Sequence, residues 1–322
     1  MDIPDSVRED LEACSNVVGT AVGPKRVDGQ PTDEEVIVVL VSQKLPEVQL
    51  AESDRIPKTI DFDDTRVKTD VQEVGDLRPQ ATTDDSGSLP DRERRWRPVP
   101  AGVSFGHNDI SAGTLGSPPL ETEDGTTVVL TNAHVAAPVG IAEPDDAIYQ
   151  PGPADGGTED DVVGTLVEGS EIAPNEPNTT DSAIVEVDPE TFESTILGIG
   201  EFAGFADPEP DATYTKSGRT TGVTTGDLRG RDARIKVRGY HDEPTTFEGI
   251  DVFGPMSAAG DSGSLIGIER DEGFYATDLL FAGSDRTTLA IPMDAVEAEH
   301  GALEPLQEES TPGSEAQAPA GD

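Results

Sequence analysis

Ala259-Gly260-Asp261-Ser262-Gly263-Ser264, running straight into Leu265-Ile266-Gly267-Ile268, is the stretch that decides how this chain folds. A serine between glycines, with an acid before it and an apolar strand behind it, presents a hydroxyl on a tight turn. Glycine lets the backbone adopt angles that other residues avoid and come close to a bound carbonyl. Such a turn aims N–H groups, here those of Gly260 and Ser262, at a developing oxyanion. Gly-Asp-Ser-Gly also closes ordinary surface turns, because all three residue types favour turns. The string therefore needs partners before it carries chemistry.

A nucleophilic serine needs a base within hydrogen-bond reach, most often histidine. Of the four histidines, His107, His134, His241 and His300, only His134 closes an apolar run, Thr127-Val128-Val129-Leu130-Thr131-Asn132-Ala133-His134. A strand terminus holds a ring rigidly. His241 lies in a Gly/Asp/Pro-rich loop, and His300 adjoins a polar tail with little to anchor it. Asp181 opens Asp181-Ser182-Ala183-Ile184-Val185, where an aspartate at a strand start orients an imidazole and stabilises its cation. The chain order His134, Asp181, Ser262 excludes an α/β-hydrolase, which runs serine, acid, histidine and needs Gly-x-Ser-x-Gly.

Thr131-Asn132-Ala133-His134, Asp181-Ser182-Ala183-Ile184 and Gly260-Asp261-Ser262-Gly263-Ser264 together resemble the three catalytic motifs of chymotrypsin-fold, trypsin-like serine peptidases. Lys216-Ser217-Gly218-Arg219-Thr220-Thr221-Gly222 is similar to a hairpin of the bacterial α-lytic-protease-like members. Asn16-Val17-Val18-Gly19, Ile56-Pro57-Lys58 and Gln150-Pro151-Gly152-Pro153-Ala154-Asp155 resemble the intracellular microbial proteins related to the plant Narrow-Leaf type. The resemblance spans most of residues 14–300. It implies two antiparallel six-stranded β-barrels and acyl transfer: Ser262 attacks, His134 takes the proton, Asp181 orients the ring, and Gly260 and Ser262 N–H groups hold the oxyanion. It places Met256 at the floor of the primary substrate pocket. Phe281-Ala282-Gly283-Ser284 then forms the edge strand that pairs with substrate backbone, with Gly283 and Ser284 lining the pocket. An uncharged substrate side chain is the expectation, since Met256 is not an acid. Val135 and Ser264 depart from the usual cysteine and glycine. Asp261 has no freed N-terminal amine to pair with, and an arginine or backbone N–H is expected instead.

The 322 residues carry 65 acids against 22 bases, a net charge of −43. A surface so rich in carboxylates is suited to molar salt, where self-repulsion is screened. The reading is of a haloadapted protein. That field repels nucleic acid and anionic lipid, so neither is an expected partner; the resemblance implies a polypeptide substrate. Recurrent apolar strands exclude a merely disordered acidic chain. Cys14 is the sole cysteine and is expected to be a small buried filler. The start lacks a basic, then apolar, leader, and no apolar run approaches the roughly 18 residues of a membrane span. A cytoplasmic protein without metal or cofactor is expected, because scattered histidines and one cysteine build no typical zinc site.

Residues 1–79 read as a small α+β module with strands over 17–22, 35–41 and 65–74, suited to packing, covering the substrate cleft or forming a homo-oligomer. Residues 80–98 read as a linker; its Arg92, Arg94, Arg95 and Arg97 around Trp96 suit an internal clamp onto the acidic body or an intersubunit contact. Residues 99–301 carry short, closely spaced strand candidates, as an all-β double barrel requires, and end in a helix over 292–301. Residues 302–322 read as a disordered acidic tail. Two function classes follow: a serine endopeptidase, or a trypsin-fold binding scaffold with an intact triad and little turnover.

Overall fold

A computed structural model describes residues 1–27, 29–62, 65–79, 92–110, 112–209 and 211–306. The chain is mainly β, arranged in two sheets. The first barrel sheet contains Thr127–Thr131 between Leu120–Thr122 and Ala183–Val187, with Val162–Gly169, Ala147–Tyr149 and Ser104–His107 completing the order. The second contains Tyr214–Gly218, Leu265–Arg270, Gly273–Gly283, Thr288–Pro292, Thr245–Phe253 and Leu228–Val237. This is the chymotrypsin-like double-barrel arrangement. Its strands alternate β-branched and small residues, which pack well on pleated surfaces. Val129, Leu130, Phe105 and Val185 of the first sheet and Phe247, Phe281, Leu279 and Ile291 of the second all belong to one continuous core.

The N-terminal segment is joined to the second sheet. Val17–Val27 pairs antiparallel with Leu228–Val237, bringing Gly19 opposite Ile235. Gln30–Val41 and Thr65–Glu73 extend the same sheet outward. A helix over Asp5–Glu12, absent from the sequence expectation, buries Leu11 and Arg8. Arg8 donates to Thr20 Oγ1 at 3.1 Å and pairs with Asp232 at 2.5 Å, tying the helix to the barrel strand. Cys14 is buried beside it.

Three local expectations differ from the structure. The apolar run ending at His134 is a strand only to Thr131, and Ala133–Ala136 is a single helical turn. Leu303–Pro305, expected within the disordered tail, pairs antiparallel with Leu120–Thr122 because Leu303 enters the core. His300, expected to be loosely held, bonds Ser182 Oγ at 2.9 Å and Glu168 Oε1 at 2.8 Å. Most of the linker (80–91) and of the tail (307–322) lies outside the described residues. Within the described part, Arg92 donates to the carbonyls of Gly102 and Leu197 and to Ser217 Oγ, so this arginine clamps the barrels from inside. Arg95 pairs with Asp161, and Arg94 stacks over Trp96 at 4.0 Å.

Candidate active site

The one-turn helix Ala133–Ala136 lifts His134 off the end of its strand and sets it against Asp181. His134 Nδ1 lies 2.5 Å from Asp181 Oδ2, and the backbone N–H of His134 donates to Oδ1 at 3.0 Å. An ionised carboxylate only accepts, so Nδ1 carries the proton and Nε2 is left as the basic nitrogen. Asn132 Nδ2 donates to the Asp181 carbonyl at 2.7 Å, fixing the backbone that bears the acid. Asp181 is fully buried. Burial pushes its carboxyl up, but the charge of His134, the His134 hydrogen bonds and a phenol outweigh burial and hold it below its ordinary value.

That phenol belongs to Tyr240, which was not among the residues expected at the site. Its hydroxyl donates to Asp181 Oδ2 at 2.5 Å, and its ring meets His134 edge to face at 5.9 Å. Burial, then the Asp181 charge, raises the phenol well above its usual value, so it stays a donor. Tyr240 sits in the loop beyond Leu228–Val237, beside His241, in the stretch Gly239-Tyr240-His241-Asp242. Only its aromatic identity in a polar loop could have signalled it.

Ser262 sits on the turn between Ala258 and Leu265. Asp261 N–H closes on the Ala258 carbonyl at 3.0 Å, with Gly260 at φ 99°. Gly263 follows at φ 97°, and a Cβ there would stand 2.2 Å from the Thr114 carbonyl. Both positions need glycine, one for the turn and one for contact between barrels. Thr114 stitches that contact: its N–H donates to the Ser262 carbonyl at 2.8 Å and its hydroxyl to the Gly260 carbonyl at 2.8 Å. Gly113 lies between Val135 and the Ser262 carbonyl, so the histidine turn and the serine turn meet across it. The Ser262 hydroxyl donates to the Phe281 carbonyl at 3.1 Å. Among the described residues, His134 Nε2 is buried without a hydrogen-bond partner. The serine–imidazole bond is therefore not made in this conformation. Catalytic hydrogen bonds commonly tighten only when substrate is bound.

Asp261 has a cation after all, and it is a lysine rather than an arginine. Lys216 Nζ reaches Asp261 Oδ2 at 3.0 Å, and both side chains are fully buried. The carboxylate also accepts from the N–H groups of Ala258, Thr220 and Thr221 and from the Thr221 hydroxyl. Burial pulls the lysine below its ordinary range, with Asp261 opposing. Next to this pair, Arg219 grips Asp155 through two bonds of 2.6 and 2.5 Å. The Lys216–Gly222 string therefore braces the serine turn from beneath.

Met256 is 3 % exposed, packed with Tyr214, Leu228, Phe253 and Ile266, because its thioether fills the space over Gly226. Gly283 pairs with Arg78, and Ser284 Oγ donates to the Val74 carbonyl at 2.5 Å. A cavity of about 1350 Å³ lies elsewhere, between the N-terminal strands, the second barrel and the C-terminal helix; His134, Asp181 and Ser262 do not line it. Among the described residues no cluster of histidine, cysteine and acids has metal-binding geometry.

No protein-family model and no curated protein sequence matches the chain. Solved structures similar to it include Protease A of Thermobifida fusca, at 17 % identity over 64 % of this chain and 97 % of that one, TM-score 0.46. A Nocardiopsis protease is similar at 14 % identity over 64 % and 97 % of the two chains, TM-score 0.46. A third is the active form of the Rv3671c protease of M. tuberculosis, at 18 % identity over 73 % and 92 %, TM-score 0.37.

Proposed function

We propose that the chain is a serine endopeptidase working through Ser262, His134 and Asp181. The observation that carries this reading is the buried His134–Asp181 pair, protonated at Nδ1 and locked by three donors to the carboxylate. Nothing in core packing calls for a buried acid and imidazole arranged this way beside a glycine-flanked serine. Ser262 Oγ leaves the Phe281 carbonyl and bonds His134 Nε2, which takes its proton as Oγ attacks the amide carbon. The Gly260 and Ser262 N–H groups receive the oxyanion. His134 then protonates the leaving amine, and water resolves the acyl-enzyme through the same base. Asp181 remains ionised and stabilises the imidazolium. The buried Lys216–Asp261 pair takes the place of an external activating amine, which supports a turn assembled without cleavage. The excess of carboxylates supports an enzyme adapted to high salt.

A second reading is a trypsin-fold binding scaffold. It is favoured by the Ser262 hydroxyl resting on the Phe281 carbonyl and by Arg78 and Pro79 lying on the edge expected to pair with substrate. Labelling with a fluorophosphonate probe in molar KCl separates the two, comparing the natural protein with Ser262→Ala. Labelling lost in the variant supports the peptidase. A folded natural protein that takes up no probe refutes it and leaves the scaffold.

A further inference from the structure

The strand Gly273–Gly283 has two edges. One pairs with Thr288–Pro292 along its C-terminal half. The other pairs with Leu265–Arg270 only as far as Leu279, leaving the edge of residues 281–283 beyond it. That free edge begins at the reaction centre, because the Phe281 carbonyl accepts the Ser262 hydroxyl. Any peptide added antiparallel to it is led towards the serine. Adding a strand to an exposed sheet edge is a general way of binding extended peptide.

This edge already has an occupant from the same chain. Arg78 lies opposite Gly283 and Pro79 opposite Ala282, antiparallel. The register advances from Gly283 to Ala282 as the chain runs forward, so the segment travels towards Phe281 and Ser262. Its approach is anchored at several points. Val74 and Leu77 are buried, each 3 % exposed. The Val74 carbonyl accepts from Ser284 Oγ, and the Leu77 carbonyl accepts from Arg238 N–H at 3.0 Å. Glu73 pairs with Arg286 at 3.3 Å. Yet the ladder itself is two residues long, and one of them, proline, has no N–H to give. Its grip is in Val74 and Leu77, not in the backbone pairing. Displacing the strap therefore means releasing those two anchors, with little backbone pairing to break.

We infer that residues 74–79 are a built-in substrate mimic, holding the peptide-binding edge at Ala282–Gly283 until an extended polypeptide replaces them. The inference rests on the serine-peptidase reading and adds its regulation. A strap open for about 1–10 % of the time weakens apparent substrate affinity by about 10–100-fold. Small electrophiles that do not use the edge are unaffected.

The test locks the strap. Asp76 and Arg238 are exposed partners, 3.8 Å apart at their side-chain ends. Asp76→Cys/Arg238→Cys, bridged with a short bismaleimide, holds the segment in place; Cys14 is buried. The expected result is hydrolysis of a pooled decapeptide library reduced by about tenfold or more relative to the unbridged variant, with fluorophosphonate labelling unchanged. Bridged protein that cuts peptides at the unbridged rate overturns the strap. Absence of labelling in both forms overturns the peptidase reading and the strap with it, and so separates the two failures. In the opposite direction, Leu77→Ser loosens the anchor and raises peptide hydrolysis without raising labelling. If Leu77→Ser fails to fold, the bridged pair still decides.

Discussion

Replacing Lys216 by methionine removes the cation from a pair in which both side chains have no exposed surface. Breaking a buried ion pair from one side costs about 3–5 kcal/mol, because the remaining charge is stranded in a poor dielectric. Asp261 would keep the Ala258, Thr220 and Thr221 N–H groups and the Thr221 hydroxyl. Arg92 also feels its charge. Those residual partners place the loss at the low end, about 3 kcal/mol. For a chain of 322 residues that corresponds to a fall of about 5 °C in Tm. Differential scanning calorimetry in molar KCl measures it, alongside the rate of fluorophosphonate labelling. Labelling slows as well, since Asp261 directly precedes the nucleophile. Adding Asp261→Asn to Lys216→Met removes the stranded charge and recovers part of the stability. A loss under about 1 kcal/mol that is not recovered in the double variant would refute the argument that this pair braces the serine turn.

Three further outcomes are expected. Tyr240→Phe removes one donor from Asp181 and costs about 1.5–3 kcal/mol at pH 7. Asp181 sits below its ordinary value, so its stabilisation is present above pH ~4 and lost as pH falls; the variant's deficit in urea titrations should therefore shrink towards pH 3, and an equal deficit at pH 3 and 7 would contradict the Asp181 assignment. Asp278→Asn addresses the opposite case: burial, then the charge of Asp251, raises Asp278, and burial pushes Asp251 up to about 7 from 3.8. A carboxyl raised by burial makes the folded state less stable as pH climbs above the ordinary carboxylate range, so the variant should gain stability over the natural protein as pH rises, and parallel curves would refute it. Gly263→Ala forces a methyl against the Thr114 carbonyl at a positive φ, and a loss above about 4 kcal/mol with no probe labelling is expected; a stable, labelled variant would show that the barrels can separate there.

The candidate nucleophile, base and acid were legible because each depends on chemistry within a few residues. Gly260 and Gly263 announce a turn that only glycine makes easily, and His134 and Asp181 each stand at the end of an apolar run. The all-β class was legible in the dense alternation of short strands and turns, and the two-barrel arrangement in the resemblance of the motifs. Lys216 stood inside a recognisable string, yet its role was hidden, since its partner lies 45 residues onward. Tyr240 was hidden for the same reason, reaching Asp181 across 59 residues from a loop with no periodicity. Met256 was placed at the pocket floor by the resemblance alone; its packing against Tyr214 and Phe253 was visible only in the tertiary structure.

Residue identity and local order thus determined which groups could do chemistry: a serine on a glycine turn, a rigid histidine, an acid at a strand start. Tertiary structure decided which of the many acids and bases are neutralised, and by what, because the energy of a buried charge depends on neighbours brought from anywhere in the chain. It also decided that the edge beside Ser262 is taken by Arg78–Pro79. Backbone pairing uses groups common to every residue, so no side-chain pattern records which strand will claim a free edge.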